Sequence, residues 1–233
     1  ARLKMFETRY KNAKIVFHKI DDSRFEKSGL TIGHITRETY FRYMIAEVLP
    51  NIYRVLYLDG DTIVNGDICE VFDTDLTNCY CAGVSDIYIE SVGYKKTLNL
   101  DGLYINAGVI LFNLDEMRKT NIAEKLFKLT AENNFKYQDQ DAINIAFNGK
   151  IRELDCVYNF KRAHQKAFPE KIPSAKIVHY VGPNKPWRKF TFNRLKKLYY
   201  IYEETYTPFG HKTGFSKYIW RFTSLFSGQK HHL

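Results

Sequence analysis

Short apolar runs alternate along the chain with segments in which apolar residues recur every three or four positions. β-branched and apolar runs predict strands at residues 14–20, 54–58, 80–85 and 104–112. Helical spacing predicts helices at residues 36–48 and 139–147, and a further helix that begins after Asn121 as its cap. Strands that alternate with helices indicate an α/β layered fold with a largely parallel sheet.

The first ten residues place Leu3, Phe6 and Tyr10 on one face of a predicted helix. This helix would lead directly into the strand predicted at residues 14–20. Because a crossover helix normally packs against the strand that precedes it, we expect an upstream strand and part of a helix to be missing from this sequence.

Charge divides the chain into two parts. The 233 residues include 35 Lys and Arg against 26 Asp and Glu, so the formal net charge is +9. Residues 185–233 carry +8 of it, from ten Lys and Arg against two acids, together with thirteen aromatic residues. We therefore predict a body at residues 1–190 and a basic aromatic tail, helical in part, at residues 191–233.

The tail allows three interpretations. Basic residues among aromatic ones, as in residues 215–226 (FSKYIWRFTSLF), are typical of segments that bind an anionic membrane surface. The same composition is compatible with nucleic-acid binding, or with a small subdomain that packs its aromatic residues on the body. We favour the membrane surface and expect no nucleic-acid partner.

The four cysteines, at positions 69, 79, 81 and 156, match no zinc-binding spacing. The sequence shows no secretory segment and no apolar run long enough to span a membrane. We therefore predict that the cysteines are reduced thiols in a cytosolic protein. The hydrophobic fraction of 45% is enough to build a core, so the composition excludes a disordered chain.

Two acidic residues follow a predicted strand directly. Asp59 and Asp61 come after the apolar run Val-Leu-Tyr-Leu at residues 55–58, with Gly60 between them. Ligands of open α/β sheets bind beyond the carboxyl ends of the strands, and paired carboxylates are ligands for hard divalent cations. The pair is therefore a candidate metal site, although an acidic turn without function would have the same sequence.

A second polar group lies at the end of the apolar pair Ile177 and Val178. His179 could complete a metal site, and a nitrogen beside carboxylate oxygens favours manganese over magnesium. Further along, Gly182 permits close approach of a ligand to the backbone, and Lys185 offers a positive charge to phosphate.

Two further motifs are weaker when taken alone. The segment Tyr-Gln-Asp-Gln-Asp at residues 137–141 opens a predicted helix, where acidic residues are ordinary caps. Asn106 and Gly108 are small residues within a predicted strand, which suggests close approach of a ligand or of backbone.

Taken in order, five motifs resemble glycosyltransferase family 8, the retaining, metal-dependent UDP-sugar transferases. This family includes bacterial surface-polysaccharide galactosyl- and glucosyltransferases and, more distantly, glycogenin. The five motifs are TYFR (39–42), LYLDGD (56–61), YINAGVILFN (104–113), YQDQDAIN (137–144) and HYVGPNKPW (179–187). The resemblance implies a Rossmann-like nucleotide-diphospho-sugar transferase (GT-A) fold: a single, mainly parallel mixed sheet flanked by helices, here without its first strand.

The resemblance also assigns roles to individual residues. It implies Mn²⁺, with Mg²⁺ as a possible substitute, bound by the metal ligands Asp59, Asp61 and His179. It implies that Lys185 and the backbone of Gly182 hold the diphosphate and that Ile35 packs near the uracil. The residues that match the surroundings of the donor sugar are Arg42, Asn106, Asp139 and Gln140.

The function that the resemblance implies is transfer of a hexose, with glucose or galactose as the first candidates, from a UDP-sugar to a glycan or glycolipid acceptor. Lipopolysaccharide is one such acceptor, and the expected location is the cytoplasm or the inner face of the cell membrane. An amide is a poor nucleophile, so we favour front-face attack, in which Gln140 and Asp139 orient the sugar. The alternative is a non-catalytic carbohydrate- or membrane-binding relative with the same fold.

Overall fold

The protein is described from a computed structural model, which covers residues 7–8, 10–21, 23, 25, 37–188, 191 and 193–205. The chain forms two compact units. One comprises residues 18–179, and the other comprises residues 1–17 together with residues 180–233.

The larger unit contains a mixed four-stranded sheet in the order β1-β4-β3-β5. Its strands are β1 (Arg54–Leu58), β3 (Cys81–Ser85), β4 (Ile105–Asn113) and β5 (Ile151–Glu153). The strand β4 runs antiparallel to both β1 and β3, whereas β3 and β5 are parallel. Three strands therefore run in one direction, and β4 is inserted between two of them in the opposite direction.

The expected single sheet needs a correction. Strands β2 (Thr62–Val64) and β6 (Ile177–His179) pair antiparallel as a separate two-stranded sheet. A run of apolar residues predicts that a strand is buried, but it does not specify which strand it pairs with. The α/β class with a mixed sheet is confirmed.

Nine α-helices and three 3₁₀ helices lie wholly within the described residues, and residues 7–8, 23 and 25 are also helical. The α-helices are α1 (Ile45–Val48), α2 (Cys69–Phe72), α3 (Ile87–Ser91), α4 (Tyr94–Thr97), α5 (Leu114–Lys119), α6 (Ile122–Glu132), α7 (Gln138–Ala146), α8 (Arg162–Ala167) and α9 (Lys196–Thr205). The 3₁₀ helices are Arg37–Met44, Cys156–Asn159 and Pro169–Ser174. Every helix in this part of the chain is too short or too polar to cross a bilayer.

Two predicted helices differ from the structure in detail. The helix expected at residues 36–48 is a 3₁₀ helix that continues into α1. Asn121 precedes α6 as predicted, but it has a left-handed backbone with φ of 47° and its side chain makes no capping hydrogen bond.

The strand predicted at residues 14–20 is wrong. These residues have no regular secondary structure, and the side chains of Val16 and Phe17 are 55% and 62% exposed. A strand requires a neighbour that accepts and donates its backbone hydrogen bonds, and the apolar run alone does not supply one. Leu3 and Phe6, on which the preceding helix was predicted, lie outside the described residues.

The core surrounds β4, in which every residue except Asn113 is buried. One face of the sheet packs against the 3₁₀ helix Arg37–Met44 and against α5, α6 and α7. A second apolar cluster includes Leu111 of β4 with Ala82 and Val84 of β3. Helices therefore pack against β4, and this packing fixes the position of its backbone.

The strand β4 bulges in its middle. Gly83 pairs with Ile110 and Ser85 pairs with Ile105, so β4 advances five residues while β3 advances two. A bulge leaves backbone groups without ladder partners and redirects side chains. Residues 106–109 lie in this bulge, and they include the Asn106 and Gly108 that the sequence indicated.

Candidate active site

Two strand pairings bring three candidate metal-binding side chains together. Asp59 follows β1, where its backbone N–H donates to the carbonyl of Gly108 over 2.8 Å. In the β2–β6 ladder, Thr62 lies opposite His179, so the residue before Thr62 comes next to the histidine ring. His179 Nε2 is 3.1 Å from Asp61 Oδ1 and 3.7 Å from Asp59 Oδ2.

The three side chains could hold a divalent cation. One ligand atom from each of Asp59, Asp61 and His179 lies within 4.8 Å of the other two, and within the described residues no other group of this kind is found. Two carboxylate oxygens and an imidazole nitrogen suit manganese, which accepts both oxygen and nitrogen ligands. The residues present therefore fit the expected metal.

Gly108 is required by the close approach of this cluster. A Cβ atom at Gly108 would lie 2.0 Å from His179 Cε1 and 2.7 Å from Asp59 Oδ2. By contrast, a Cβ atom at Gly60 would meet nothing within 4 Å. The close approach that the sequence indicated is therefore found at Gly108, and within the described residues none is found at Gly60.

The ring of His179 is held by a buried amide. His179 Nδ1 lies 2.9 Å from Asn159 Oδ1, and Asn159 Nδ2 donates in turn to Asn106 Oδ1 over 3.0 Å. A hydrogen bond at one imidazole nitrogen fixes the orientation of the ring and leaves the other nitrogen available to a metal. Asn159 thus turns Nε2 toward the two carboxylates.

Arg42 links Asp59 to the start of α7. Its guanidinium donates to Asp59 Oδ1 over 3.0 Å and to the carbonyl of Ala107 over 2.6 Å. It also lies 3.2 Å from Asp139 Oδ2 and 4.5 Å from the centre of the Tyr57 ring. One buried cation therefore balances the two carboxylates of Asp59 and Asp139.

Asp139 is buried, with 7% of its surface exposed. Burial, reinforced by the negative charge of Asp59 and opposed by Arg42, raises the pKa of Asp139 to about 6. Its Oδ2 makes no hydrogen bond within the described residues, so the ion pair with Arg42 is its principal stabilising contact.

Asn106 and Gln140 form an amide pair beside Asp86. Gln140 Oε1 accepts from Asn106 Nδ2 over 2.8 Å and from the backbone N–H of Ala107 over 3.1 Å. Gln140 Nε2 donates toward Asp86 Oδ2 over 3.4 Å and toward the hydroxyl of Tyr104 over 3.2 Å. The orientation of the Gln140 amide is therefore set by partners at both of its ends.

The first turn of α7 is fixed by side chains rather than by ordinary capping. Asp141 Oδ1 accepts from the Tyr104 hydroxyl, and Asp141 Oδ2 accepts from the Tyr94 hydroxyl over 2.7 Å. Asn144 forms two hydrogen bonds with the backbone of Ile105, one through each end of its amide. The helix is thereby held against β4, so Asp139 and Gln140 occupy defined positions.

The structure brings together Arg42, Asp59, Asp61, Asn106, Asp139, Gln140 and His179, all within residues 18–179. Gly182 and Lys185 belong to the other unit, where Lys185 Nζ donates to the carbonyl of Tyr180 over 2.9 Å and Gly182 has φ of 82°. Ile35 lies outside the described residues.

Three residues of this network were missed by the sequence reasoning: Asp86, Asn159 and Lys161. Asp86 directly follows β3, which is the same signal that identified Asp59 after β1. Lys161 Nζ lies 2.8 Å from Asp86 Oδ1. Asn159 is the last residue of the 3₁₀ helix Cys156–Asn159 and Lys161 follows it, and nothing in their local sequence indicates that they are buried.

Comparison with known proteins gives consistent matches. A model of glycosyl transferase family 8 matches residues 2–191. Glycosyltransferase GlyF of Streptococcus pneumoniae is 32% identical over 201 residues, which are 83% of this chain and 48% of GlyF. The lipopolysaccharide 1,2-glucosyltransferase of Escherichia coli is 29% identical over 181 residues, which are 71% of this chain and 54% of that enzyme.

Among solved structures, galactosyltransferase LgtC in complex with donor and acceptor sugar analogs is similar with a TM-score of 0.74 and 27% identity. The match covers 85% of this chain and 78% of the LgtC chain, and it confirms the expected GT-A fold. The chain spans about half the length of the curated relatives GlyF and lipopolysaccharide 1,2-glucosyltransferase, at 48% and 54%.

Proposed function

Because this chain belongs to glycosyltransferase family 8, we propose that it transfers a hexose from a UDP-sugar to a glycan acceptor, with retention of configuration. The observation that carries the proposal is the cluster of Asp59, Asp61 and His179 beside the buried amide pair of Asn106 and Gln140. The first can hold a divalent cation, and the second offers oriented polar groups of the kind that position a sugar.

We propose Mn²⁺ as the ion held by Asp59, Asp61 and His179, with Mg²⁺ as a weaker substitute because magnesium prefers oxygen ligands. When bound, such an ion acts as a Lewis acid toward the leaving diphosphate. From the family resemblance, Lys185 and the backbone of Gly182 are proposed to contact the diphosphate and Ile35 to pack near the uracil.

The donor sugar is proposed to lie beside Arg42, Asn106, Asp139 and Gln140. Gln140 Oε1 already accepts two hydrogen bonds, from Asn106 and from Ala107, and an amide oxygen has two lone pairs. That oxygen is therefore poorly suited to attack an anomeric carbon. This supports front-face attack by the acceptor, in which Gln140 and Asp139 orient the sugar.

Glucose or galactose is the proposed hexose, since relatives in the family are named for transferring one or the other to lipopolysaccharide. The proposed acceptor is a surface glycan or glycolipid, and the proposed location is the cytoplasm, including the inner face of the cell membrane. We also propose the division of the chain near residue 190 into a catalytic body and a basic tail, from their difference in charge.

The alternative is a non-catalytic carbohydrate- or membrane-binding relative. The geometry of the three metal-binding side chains argues against it, because a binding protein has no need of three converging metal ligands around a glycine that tolerates no side chain.

The test is UDP release from a panel of UDP-sugars by the full-length protein, measured with Mn²⁺ and with EDTA. Asp59→Ala should abolish release, and Asp73→Ala, which removes an exposed carboxylate that is not part of the cluster, should preserve it. Release from one sugar that needs both Mn²⁺ and Asp59 would support the proposal and name the donor. A folded protein that releases UDP from none of them would favour the binding protein.

A further inference from the structure

A buried ion pair lies next to the amide pair of the candidate active site. Lys161 and Asp86 are only 4% and 6% exposed, and Lys161 Nζ is 2.8 Å from Asp86 Oδ1. Removing two charges from water is unfavourable, so a buried ion pair adds little to stability compared with apolar side chains of the same size. Its presence here calls for an explanation other than stability.

The second oxygen of Asp86 faces the two amides. Asp86 Oδ2 lies 3.3 Å from Asn106 Nδ2 and 3.4 Å from Gln140 Nε2. As an acceptor, Asp86 attracts the nitrogen end of each amide, while the opposite end of Gln140 accepts from the backbone of Ala107. The carboxylate thus distinguishes the two ends of Gln140, which are nearly identical in shape.

Lys161 is itself held in place by its neighbours. Its backbone N–H donates to His164 Nδ1 over 3.1 Å, and the preceding residue, Phe160, exchanges backbone hydrogen bonds with Ile177 and His179 of β6. Asn159, two residues before Lys161, holds the ring of His179. One short segment therefore reaches both the metal-binding histidine and the carboxylate beside Gln140.

Burial and the neighbouring charge act on Lys161 in opposite directions. Burial lowers the pKa of Lys161, and Asp86 opposes this effect through its charge and its hydrogen bond. The two groups therefore depend on each other. If Lys161 became neutral and apolar, the Asp86 carboxylate would remain buried without a counter-charge, and it would take up a proton or turn away.

We propose that Lys161 is a positioning residue for sugar transfer, which holds the Asp86 carboxylate in place and through it fixes the orientation of the Gln140 amide. This inference rests on the proposed function. Lys161 touches neither amide directly among the contacts found, so it acts on the donor sugar only through Asp86 and Gln140.

The experiment compares steady-state UDP release by the wild type, Lys161→Met and Lys161→Arg, with Mn²⁺ and the preferred UDP-sugar. Misorientation of a positioning group affects the reacting geometry more than binding, so Lys161→Met should lower kcat at least about tenfold and change KM less than about threefold. Lys161→Arg keeps the charge and should retain kcat within about threefold.

A second variant separates positioning from folding. Lys161→Met with Asp86→Leu removes both buried charges, and apolar replacement of a buried ion pair is often neutral or stabilising. We expect this double variant to unfold at a Tm at or above that of Lys161→Met while its kcat stays low. Recovery of the wild-type kcat together with Tm would show that the pair only supports folding.

The outcomes are distinct. A folded Lys161→Met with the wild-type kcat, or with a changed KM alone, overturns the positioning role and leaves the proposed function intact. A wild type that releases no UDP from any UDP-sugar overturns the proposed function, and the role of Lys161 fails with it.

Discussion

His179 can bind a metal through Nε2 only if its imidazole ring holds one orientation. The contact that holds the ring is a hydrogen bond between Nδ1 and the side-chain oxygen of Asn159. The side chain is 4% exposed, with Nδ1 facing Asn159 and Nε2 facing Asp61. A partner that fixes the second imidazole nitrogen of a metal ligand is typically worth a factor of about 10–100 in metal affinity.

The first prediction concerns this amide. Asn159→Leu should weaken Mn²⁺ binding by about 10–100-fold, because the ring of His179 loses the acceptor that orients it. Asn159→Asp keeps an acceptor for His179 but loses the donor to Asn106, so its Mn²⁺ affinity should fall less than that of Asn159→Leu. Isothermal titration of each protein with Mn²⁺ measures the change. Equal affinity of Asn159→Leu and the wild type would show that packing alone orients the ring.

The second prediction concerns the glycine beneath the cluster. Gly108→Ala places a methyl group 2.0 Å from His179 Cε1, so the buried ring must move or the strand must shift. Overpacking of this kind should lower the free energy of unfolding by about 1–3 kcal/mol and also weaken Mn²⁺ binding.

The matched control is Gly60→Ala, where the added methyl group would meet nothing within 4 Å and φ is not positive. Its free energy of unfolding should stay within about 0.5 kcal/mol of the wild type. Urea denaturation of both variants measures the difference. Equal stability of the two variants would contradict the close packing at Gly108.

At the scale of residues, the sequence predicts those functional groups that are polar or charged and stand at the end of an apolar run. Asp59 and Asp61 directly follow an apolar run and His179 ends another, so each could be identified as a candidate ligand from the sequence. The pairing of β2 with β6, which brings them together, could not be predicted from these runs. The burial of Asn159 and Lys161 could not be predicted, because an amide or a lysine at the end of a short 3₁₀ helix or just after it is usually exposed. Only the three-dimensional pairing with Asn106, His179 and Asp86 gives them a function.

At the scale of elements, the bulge in β4 decides what the active site contains. The sequence predicts a strand over residues 104–112 and close approach at its small residues Asn106 and Gly108. The strand is confirmed as β4, and close approach is found at Gly108. The bulge itself depends on the register against β3, where β3 advances two residues while β4 advances five. Apart from Asn106 and Asn113 the strand has no polar side chain, so no alternation of apolar and polar residues could reveal the shift in register.

The predicted strand at residues 14–20 failed for a related reason. Val16 and Phe17 have the side chains of a buried strand but are largely exposed. A run of β-branched and aromatic residues describes what a strand can bury, whereas the presence of a strand depends on a partner elsewhere in the chain.

The third prediction belongs to α8, which begins next to Lys161. His164 is fully buried, and its ring stacks near Phe160 and Phe168 with centroid distances of 5.8 Å and 6.5 Å. Burial and then the charge of Lys161 lower the pKa of His164 to about 4, although Asp86 opposes them. The neutral form is therefore the form that the folded protein accommodates.

The unfolded state takes up a proton on His164 near pH 6.5, whereas the folded state does so only near pH 4. The contribution of neutral His164 to the free energy of unfolding is therefore complete above pH 6.5 and is lost as the pH falls from 6.5 to 4. The loss attributable to this group is about 3 kcal/mol. His164→Gln has no titrating group but keeps an acceptor for the Lys161 N–H, as glutamine does in a capping box.

We therefore expect the difference in unfolding free energy between His164→Gln and the wild type to shift by about 3 kcal/mol in favour of the variant from pH 7.5 to pH 4. Urea denaturation at several pH values measures it. Parallel curves for the two proteins across this range would show that His164 does not titrate differently in the folded and unfolded states.

At the scale of the whole molecule, charge and chemistry are placed in different parts of the chain. The candidate metal-binding cluster and the amide pair lie in residues 18–179, whereas residues 185–233 carry +8 of the total charge of +9. Residues 206–233, which include the segment 215–226, lie outside the described residues. Their composition remains the basis for the proposed membrane surface.

The fourth prediction is that the full-length protein binds vesicles with anionic lipids and does not bind neutral ones. Basic residues near an anionic surface contribute about 1 kcal/mol each, and aromatic residues add burial at the interface. Replacing Lys212, Lys217 and Arg221 by Glu changes the charge of residues 185–233 from +8 to +2. Vesicle affinity should then fall by about 100-fold or more.

A matched variant tests whether the position of the charge matters. Replacing the exposed Lys119, Lys128 and Lys166 by Glu changes the net charge of the molecule equally, but it does so outside the tail. This variant should bind anionic vesicles nearly as well as the wild type, because a surface potential acts only over about a Debye length. Equal weakening by the two triple variants would show that net charge rather than the tail governs binding.

Tight binding of oligonucleotides at physiological salt would instead assign the tail to nucleic acid, since phosphate contacts alone give weak, salt-sensitive affinity.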